Sequence, residues 1–506
     1  MFLELTVGNL IEPVSGRRWD RREVGHQVAR RIARFQSLGL GRGDRVFIPF
    51  GNRLEFFAEL LAIWRVGACA VPIDGRLTPF EIQTLVAAAH PRLAVVDDGT
   101  DAAVTAALEA AHVTCIATGY AGKENANAGG SRLDDDALIL FTSGSTGDPK
   151  GVVHTHRSLR ARWLSLRERL GTDAFGRTLC LLPTHFGHGL ICNALFPWLS
   201  GQDLFIAPPF RPDLLIRLGA LIDEHRITFM SSVPAIWRLA LKVARPPKEG
   251  TLQRVHCGSA PLSGHAWEDI RAWTGTQRVC NAYGITETGS WVAGLVTADC
   301  PAEDGLIGEG WGAVIKVLRT AEAAIPLAQD LQCAAGEPGY VWLNTPALMK
   351  GYFLRDDLTE KVIVDGWFMT GDIGVLDDRG WLLLRGRERD EINKGGMKIY
   401  PADIDIIVER FNRTTDVCAF AVDDSIYGQN AGMAVVLAET DDGTIRALYR
   451  WMRIHLAEPK MPARWWIVDA IPRTSRGKIN RDAVRVACMD RTPLDLPRIV
   501  SDGEHP

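Results

Sequence analysis

The sequence predicts an α/β protein built in two unequal parts, on three observations. Up to about residue 385, short apolar strands alternate with longer amphipathic helices, the pattern of mainly parallel sheets covered by helices. From about residue 336 the texture changes to short strand candidates separated by Asp-Gly and Asp-Arg-Gly turns, a small antiparallel β unit closing the large region. A strongly charged stretch, RGRERDEINKGG, then leads into a compact α+β remainder. At 506 residues the chain exceeds one ordinary core, so two or more domains are expected.

Taken in order, DRVFIPFG reads as a strand and LEFFAELLAIWRVG as a helix ended by Gly67. ACAVPID and RLAVVDD are strands, with TPFEIQTLVAAAH helical between them; Thr78 suits the N-cap and Pro79 the first helical position. LFIAPP and ITFMSSVP are further strands, and PAIWRLALKVA and GHAWEDIRAWTG further helices. In the second texture, GYVWLNT, VIVDGWFMTGD, IGVLDDRG and WLLLRGR are read as separate strands. KIYPADIDIIVERF, TTDVCAFAVDD, GMAVVLAET and GTIRALYRWMRIHL make up the last domain. After about Asp490 a Pro-rich polar tail is expected to be loosely ordered.

Composition narrows the function classes. Hydrophobic content of 46% with 23% charged residues is that of a globular protein, neither disordered nor fibrous. A net charge of −4 argues against a general nucleic-acid binder, which would carry a basic stripe. No apolar run approaches a membrane span and the N-terminus lacks a signal core. The ten cysteines are scattered without a Cys-x-x-Cys pair, which fits reduced thiols in a cytoplasm better than zinc or disulfides.

The most informative stretch is LILFTSGSTGDPKG, residues 138–151. It is not a Walker A loop, because Gly144 and Gly147 lie three apart and Lys150 is followed by Gly151. Gly, Ser, Asp and Pro also make ordinary turns, so alone the segment reads equally as a surface turn or as an anion cradle. For a cradle, glycines admit close backbone approach and hydroxyls and a lysine add donors and charge. Four further segments follow: NAYGITETG, WFMTGD, GRERD and PRTSRGKINR. Each alone has an ordinary reading, as a helix cap, a turn, a solvated charge run and a solvated lysine.

Together, in this order, they resemble the adenylate-forming superfamily of acyl-CoA synthetases, nonribosomal peptide synthetase adenylation domains and beetle luciferases, most of all an acyl-CoA synthetase. The resemblance spans residues 20–485 and also covers HCGSAPLS and GRERDEINKGGMKIYP. It implies a large N-terminal region of two αβ subdomains plus a small β-barrel-like unit, with a small mobile α+β C-terminal domain. The corresponding boundaries are 1–386, a hinge at 387–390, 391–490, and a tail at 491–506.

The implied reaction activates a carboxylate with ATP as an acyl-adenylate, releasing pyrophosphate, and then passes the acyl group to the thiol of CoA. The alternative acceptor is a carrier-protein pantetheine. By resemblance, Thr142, Ser143, Gly144, Ser145, Thr146, Gly147 and Lys150 would grip the β- and γ-phosphates. Glu287 would hold Mg²⁺ and Thr286 would bond the α-phosphate. Tyr283 would stack on adenine against Gly258, Ser259, Ala260 and Pro261, and Asp372 and Arg387 would bind the ribose. Lys478 would stabilise charge at the reacting centre. Arg389 falls at the hinge position, where many members carry Asp or Lys, and Lys394, Gly395 and Gly396 would line a channel for pantetheine.

LPTHFGHGL corresponds to the wall of the acyl pocket, with His185 at an aromatic gate position and His188 as a neutral wall residue. Ala282 and Gly284 complete the substrate set, and Gly187 and Gly189 are read as leaving room for a bulky or aromatic acid. The Asp by which amino-acid-activating members bind an ammonium group is not seen, so a non-amino-acid carboxylate is expected. A binding-only regulator would have no need of Lys478, and a kinase would release ADP rather than AMP.

Overall fold

The structure, a computed structural model, describes residues 6–120, 122–124, 130–143, 149–209, 211–321, 331–395, 397–474 and 478–494. Three sheets organise it. One has seven strands, with Leu93–Val96, Arg45–Ile48, Cys69–Pro72 and Asp136–Ser143 running parallel. The hairpin partner Pro149–Thr155 and the short strand Gly351–Tyr352 close one edge of it antiparallel.

In the largest sheet Asp203–Ile206, Arg177–Cys180, Phe229–Ser232, Arg254–Gly258 and Val279–Ile285 lie side by side in parallel. The helix Leu54–Arg65 is buried from Leu54 to Trp64 at every position but Glu55. A helix apolar on nearly all sides belongs in the middle of a layered protein. One continuous core accordingly takes Val46 and Leu138 from the seven-stranded sheet, Phe57 and Leu60 from this helix, and Leu204 and Phe229 from the large sheet. Thr78 caps the helix Pro79–Ala89 in a full capping box with Glu81.

The expected antiparallel unit is present but starts earlier. Val279–Ile285 turns through Thr286–Thr288 into Ser290–Gly294, and antiparallel pairing continues through Leu306–Gly310, Leu382–Arg387, Trp367–Leu376 and Gly339–Asn344. It therefore extends the large sheet rather than standing apart from it. GWFMTGD and IGVL, read as two strands, form the single strand Trp367–Leu376; the Gly371 turn signal, at φ +71°, is absorbed as a bulge, where pairing with the neighbouring strand jumps from Ile373 to Met369.

The chain leaves this sheet at Arg387, makes a turn at Glu388–Asp390, and enters a five-stranded sheet at Ile392. The helices Pro401–Glu409 and Asp442–His455 share a core with this sheet, and Arg481–Met489 packs through Val484 and Cys488. The start of the tail is better anchored than its composition suggests. The Leu494 amide donates to the Trp465 carbonyl at 2.8 Å, and the Trp466 indole donates to the Arg491 carbonyl at 3.0 Å. Among the described residues no helix is long and apolar enough to cross a membrane.

Candidate active site

The hairpin Asp136–Ser143/Pro149–Thr155 sets Thr142 opposite Lys150. Gly144, Ser145, Thr146 and Gly147 lie outside the described residues, as does the side chain of Ser143. Lys150 Nζ sits 5.7 Å from the ring centroid of Tyr352, on the strand added to this hairpin. The Tyr352 hydroxyl donates to Glu287 Oε1 at 2.9 Å. Burial and the adjoining carboxylate push that hydroxyl well above its ordinary range, so it remains a donor. Tyr352 thus bridges the hairpin that carries Thr142 and Lys150 to Glu287, a link across 65 residues that no motif revealed.

Glu287 and Thr286 occupy a single 3₁₀ turn, closed by Gly289 at φ +71°. The turn is tied from two sides. The Met349 amide donates to the Glu287 carbonyl at 2.7 Å, and His154 Nε2 meets the Thr286 carbonyl at 2.7 Å. A carbonyl can only accept, so His154 carries its proton on Nε2; burial lowers its pKa to about 4 and keeps the ring neutral. His154 is a second residue that sequence reasoning missed. No group of three metal-ligating side chains occurs among the described residues. A lone carboxylate suits an ion that takes its remaining ligands from phosphates and water, as Mg²⁺ does.

Asp372 and Arg387 face each other across neighbouring strands, and Arg387 Nε lies 2.9 Å from Asp372 Oδ1. The other carboxylate oxygen accepts from the Tyr283 hydroxyl at 2.5 Å. Asp372, read from the sequence as a ribose ligand together with Arg387, is the buried centre of a three-residue network. Its charge raises the Arg387 pKa, and burial followed by the same charge raises that of Tyr283.

On the acyl side, a helix of π type, His188–Leu195, follows Pro183, His185 and Gly187. π turns are uncommon and concentrate at functional sites. His188 Nδ1 lies 2.8 Å from Ser259 Oγ, and Nε2 lies 2.7 Å from Ser231 Oγ. Burial, reinforced by the charge of Lys478, lowers its pKa to about 3, so it is a neutral residue of the wall. Ser259 itself has φ +64°. Ala260 and Pro261 continue this loop, Pro261 being exposed. A Cβ on Gly258 would stand 2.3 Å from the Ala282 carbonyl and 3.7 Å from His188 Cε1. That glycine lets the strand end, the histidine and Ala282 converge.

Two other glycines serve packing instead of pocket volume. A Cβ on Gly189 would come 2.1 Å from the Pro183 carbonyl, so its missing side chain opens no space for substrate, contrary to the expectation. A Cβ on Gly284 would come 2.0 Å from the Ser290 carbonyl. At Gly187 a Cβ would meet Leu140 and Ser290 at ordinary contact distance, so this position too is already enclosed. His185 faces Asp74, with Nε2 3.6 Å from the carboxylate.

Two residues down the same strand face from Gly258 lies His256, 0% exposed, its ring 4.5 Å from that of Trp291. Phe229, Phe175 and Trp311 fill the space around it, with Phe175 and Phe229 4.3 Å apart. Both His256 nitrogens and the Trp291 indole nitrogen have no hydrogen-bond partner among the described residues.

The charge of Lys478, in the C-terminal domain, adds to the burial that keeps His188 neutral. The Thr474 amide donates to the Lys478 carbonyl at 2.8 Å, and Arg473 bridges to Ile479. Lys394 and Gly395 are held inside their own domain instead. Lys394 Nζ donates to the Pro459 carbonyl at 3.1 Å, and the Gly395 amide donates to that of Tyr427 at 2.9 Å, with Gly395 at φ +59°. Gly396 lies outside the described residues. Arg389 is exposed on the crossing turn, its Nε 3.5 Å from Asp390.

Residues 8–353 match the family model described as AMP-binding enzyme, and 404–478 match the AMP-binding enzyme C-terminal domain. Curated relatives match along most of both chains. The 2-succinylbenzoate–CoA ligase of Bacillus velezensis is 30% identical over 91% of each chain. The long-chain-fatty-acid–CoA ligase FadD13 of Mycobacterium tuberculosis is 27% identical over 89% of each, and the feruloyl-CoA synthase of an Amycolatopsis species is 27% identical over 92% of each. Among solved structures, ATP-bound MatB from Rhodopseudomonas palustris superposes with a TM-score of 0.84 at 26% identity, covering 96% of both chains. The apo form of MatB, at 25% identity and the same coverage, gives 0.74. On the strength of a family match over more than half its length, the chain belongs to the AMP-binding enzyme family.

Proposed function

We propose that this enzyme joins a compact, non-amino-acid carboxylic acid to CoA, with ATP and Mg²⁺ as co-substrates, in the cytoplasm. The reaction class is ATP-dependent carboxylate–CoA ligation through an acyl-adenylate, with release of pyrophosphate and then AMP. The observation that supports this reading is the rim formed by the Tyr283–Asp372–Arg387 network and, four residues on from Tyr283, Glu287 with Tyr352 and Lys150.

In the first half-reaction two anions must meet. Lys150 and the loop Ser143–Gly147 grip the β- and γ-phosphates, Thr286 holds the α-phosphate, and Asp372 with Arg387 fixes the ribose while Tyr283 stacks on adenine. Glu287 holds Mg²⁺, which when bound offsets phosphate charge. Lys478 meets the charge developing between carboxylate and α-phosphate, where a preorganised donor is worth on the order of 10²–10³ in rate. In the second half-reaction Lys394, Gly395 and Gly396 replace Lys478 at the rim and admit the pantetheine arm, with Arg389 as the hinge.

The compact acid is favoured by the layer beneath His188. Phe175, Phe229, Trp291 and Trp311 are all buried there, a filled aromatic layer that supports an acid without a long alkyl tail. The unpartnered Trp291 and His256 nitrogens favour an acid bearing a hydrogen-bonding substituent, because buried polar groups cost about 1–3 kcal/mol each when unmet. The test is mass spectrometry of products from short, aromatic, polycyclic and long-chain acids pooled with ATP, Mg²⁺ and CoA. An aromatic or short acyl-CoA with AMP is expected. Turnover of long-chain acids alone would overturn the compact pocket, acyl-adenylate without thioester would point to a carrier protein, and ADP would overturn the reaction.

A further inference from the structure

The rim described above joins two domains, and Lys478 serves it only when the C-terminal domain is turned one way. The contacts that hold that orientation lie away from the rim. Arg238, on the N-terminal helix Pro234–Val243, places Nη1 2.6 Å from Glu409 Oε1, at the end of the C-terminal helix Pro401–Glu409. The same nitrogen lies 3.6 Å from Asp416 Oδ1. Asp416 in turn receives Arg473 Nη2 on both oxygens at 2.7 Å. Arg473 opens the hairpin that carries Lys478, bridged to Ile479 on its far side. Beside this chain of contacts, Arg410 pairs with Asp304, whose other oxygen accepts from the Gly264 amide at 2.8 Å.

We infer that Arg238 is a positioning residue for adenylate formation: with Glu409 and Asp416 it clamps the C-terminal domain in the orientation that presents Lys478, and Arg410–Asp304 is its companion. This rests on the reading of Lys478 given above. The network is sided. Arg473 and Asp416 belong to the C-terminal domain, and so move with Lys478 as one body; Arg238 and Asp304 stay behind. Turning the domain must therefore break Arg238–Glu409 and Arg410–Asp304 while leaving Arg473–Asp416 intact.

A contact made in only one of two orientations shifts their ratio by its own strength and no more. Partly exposed ion pairs are worth up to about 1 kcal/mol, so each should change the ratio about two- to fivefold. The test measures pyrophosphate release and thioester formation from supplied acyl-adenylate separately, and takes their ratio. Arg238→Met should lower the ratio about two- to fivefold and Arg238→Lys should restore most of it. Glu409→Gln added to Arg238→Met should cost less than the two singly, because the residues are in contact.

A ratio unchanged in Arg238→Met, equal loss of both half-reactions, or fully additive effects would overturn the clamp. Lys478→Ala run alongside separates the two ideas. If that variant lost pyrophosphate release while Arg238→Met kept its ratio, the clamp would fall and the lysine would stand. If Lys478→Ala released pyrophosphate normally while Arg238→Met lowered the ratio, the clamp would stand and the reading of Lys478 would fall.

Discussion

The two sides of the site are held by different physics. On the N-terminal side, Asp372, Tyr283 and Arg387 satisfy one another, and Glu287 is fixed by Tyr352, Met349 and the turn that His154 ties down. These groups are buried or half-buried and set by strand pairing. On the C-terminal side, Lys478 rides a short hairpin, and the ion pairs that join its domain to the rest are partly exposed. The first side is preorganised, so it can bind nucleotide without reordering. The second is held by contacts weak enough to be exchanged within a catalytic cycle.

The contrast orders the consequences of mutation. The largest effect should come from Lys478→Ala, which slows pyrophosphate release by about 10²–10³. Next is Asp372→Ala, which removes a buried charge and strands Arg387 and Tyr283. Hydrogen bonds to charged groups are worth about 1.5–3 kcal/mol, so KM for ATP in pyrophosphate release, and KM for supplied acyl-adenylate in thioester formation, should each rise roughly ten- to a hundredfold. Tyr352→Phe deletes one donor to Glu287 and should raise the Mg²⁺ concentration needed for half-maximal rate about three- to tenfold, with the fold unchanged by circular dichroism.

A separate effect concerns stability rather than catalysis. His154 and His156, at about 4, and His188, at about 3, are held neutral by burial in the N-terminal region. An unfolded histidine titrates near 6.5, so between that pH and about 3–4 the unfolded chain binds more protons and stability falls with pH. Each of the three should contribute a loss of about 2 kcal/mol by pH 5. Thermal melts from pH 7 to pH 5 should show the N-terminal region losing stability first. A melting temperature unchanged across that range would mean these histidines are not buried neutral.

The features that were readable in the sequence are local ones. The Thr78 N-cap and the Gly67 helix stop depend on a few neighbouring residues, and both appear as read. The ordered motifs that carry the family resemblance are local too, each lying within a single turn or strand. Tyr352, His154 and Arg238 were not readable, because their partners lie 65, 132 and 171 residues away. Gly189 shows a subtler limit. A missing side chain in a pocket segment signals close approach of something, and only the fold tells that here it is the Pro183 carbonyl. The π helix at His188–Leu195 likewise has no signature in HGLICNAL, whose apolar pattern any buried helix would share.

The claim at the centre of this account is that Lys478 acts in one half-reaction and is carried away for the other. It is tested most directly by giving the Lys478→Ala enzyme purified acyl-adenylate and CoA and measuring thioester formation. A rate within a few-fold of the unmutated enzyme is the predicted result. A loss as large as that seen in pyrophosphate release would contradict it, and would mean that one arrangement of the two domains serves both steps.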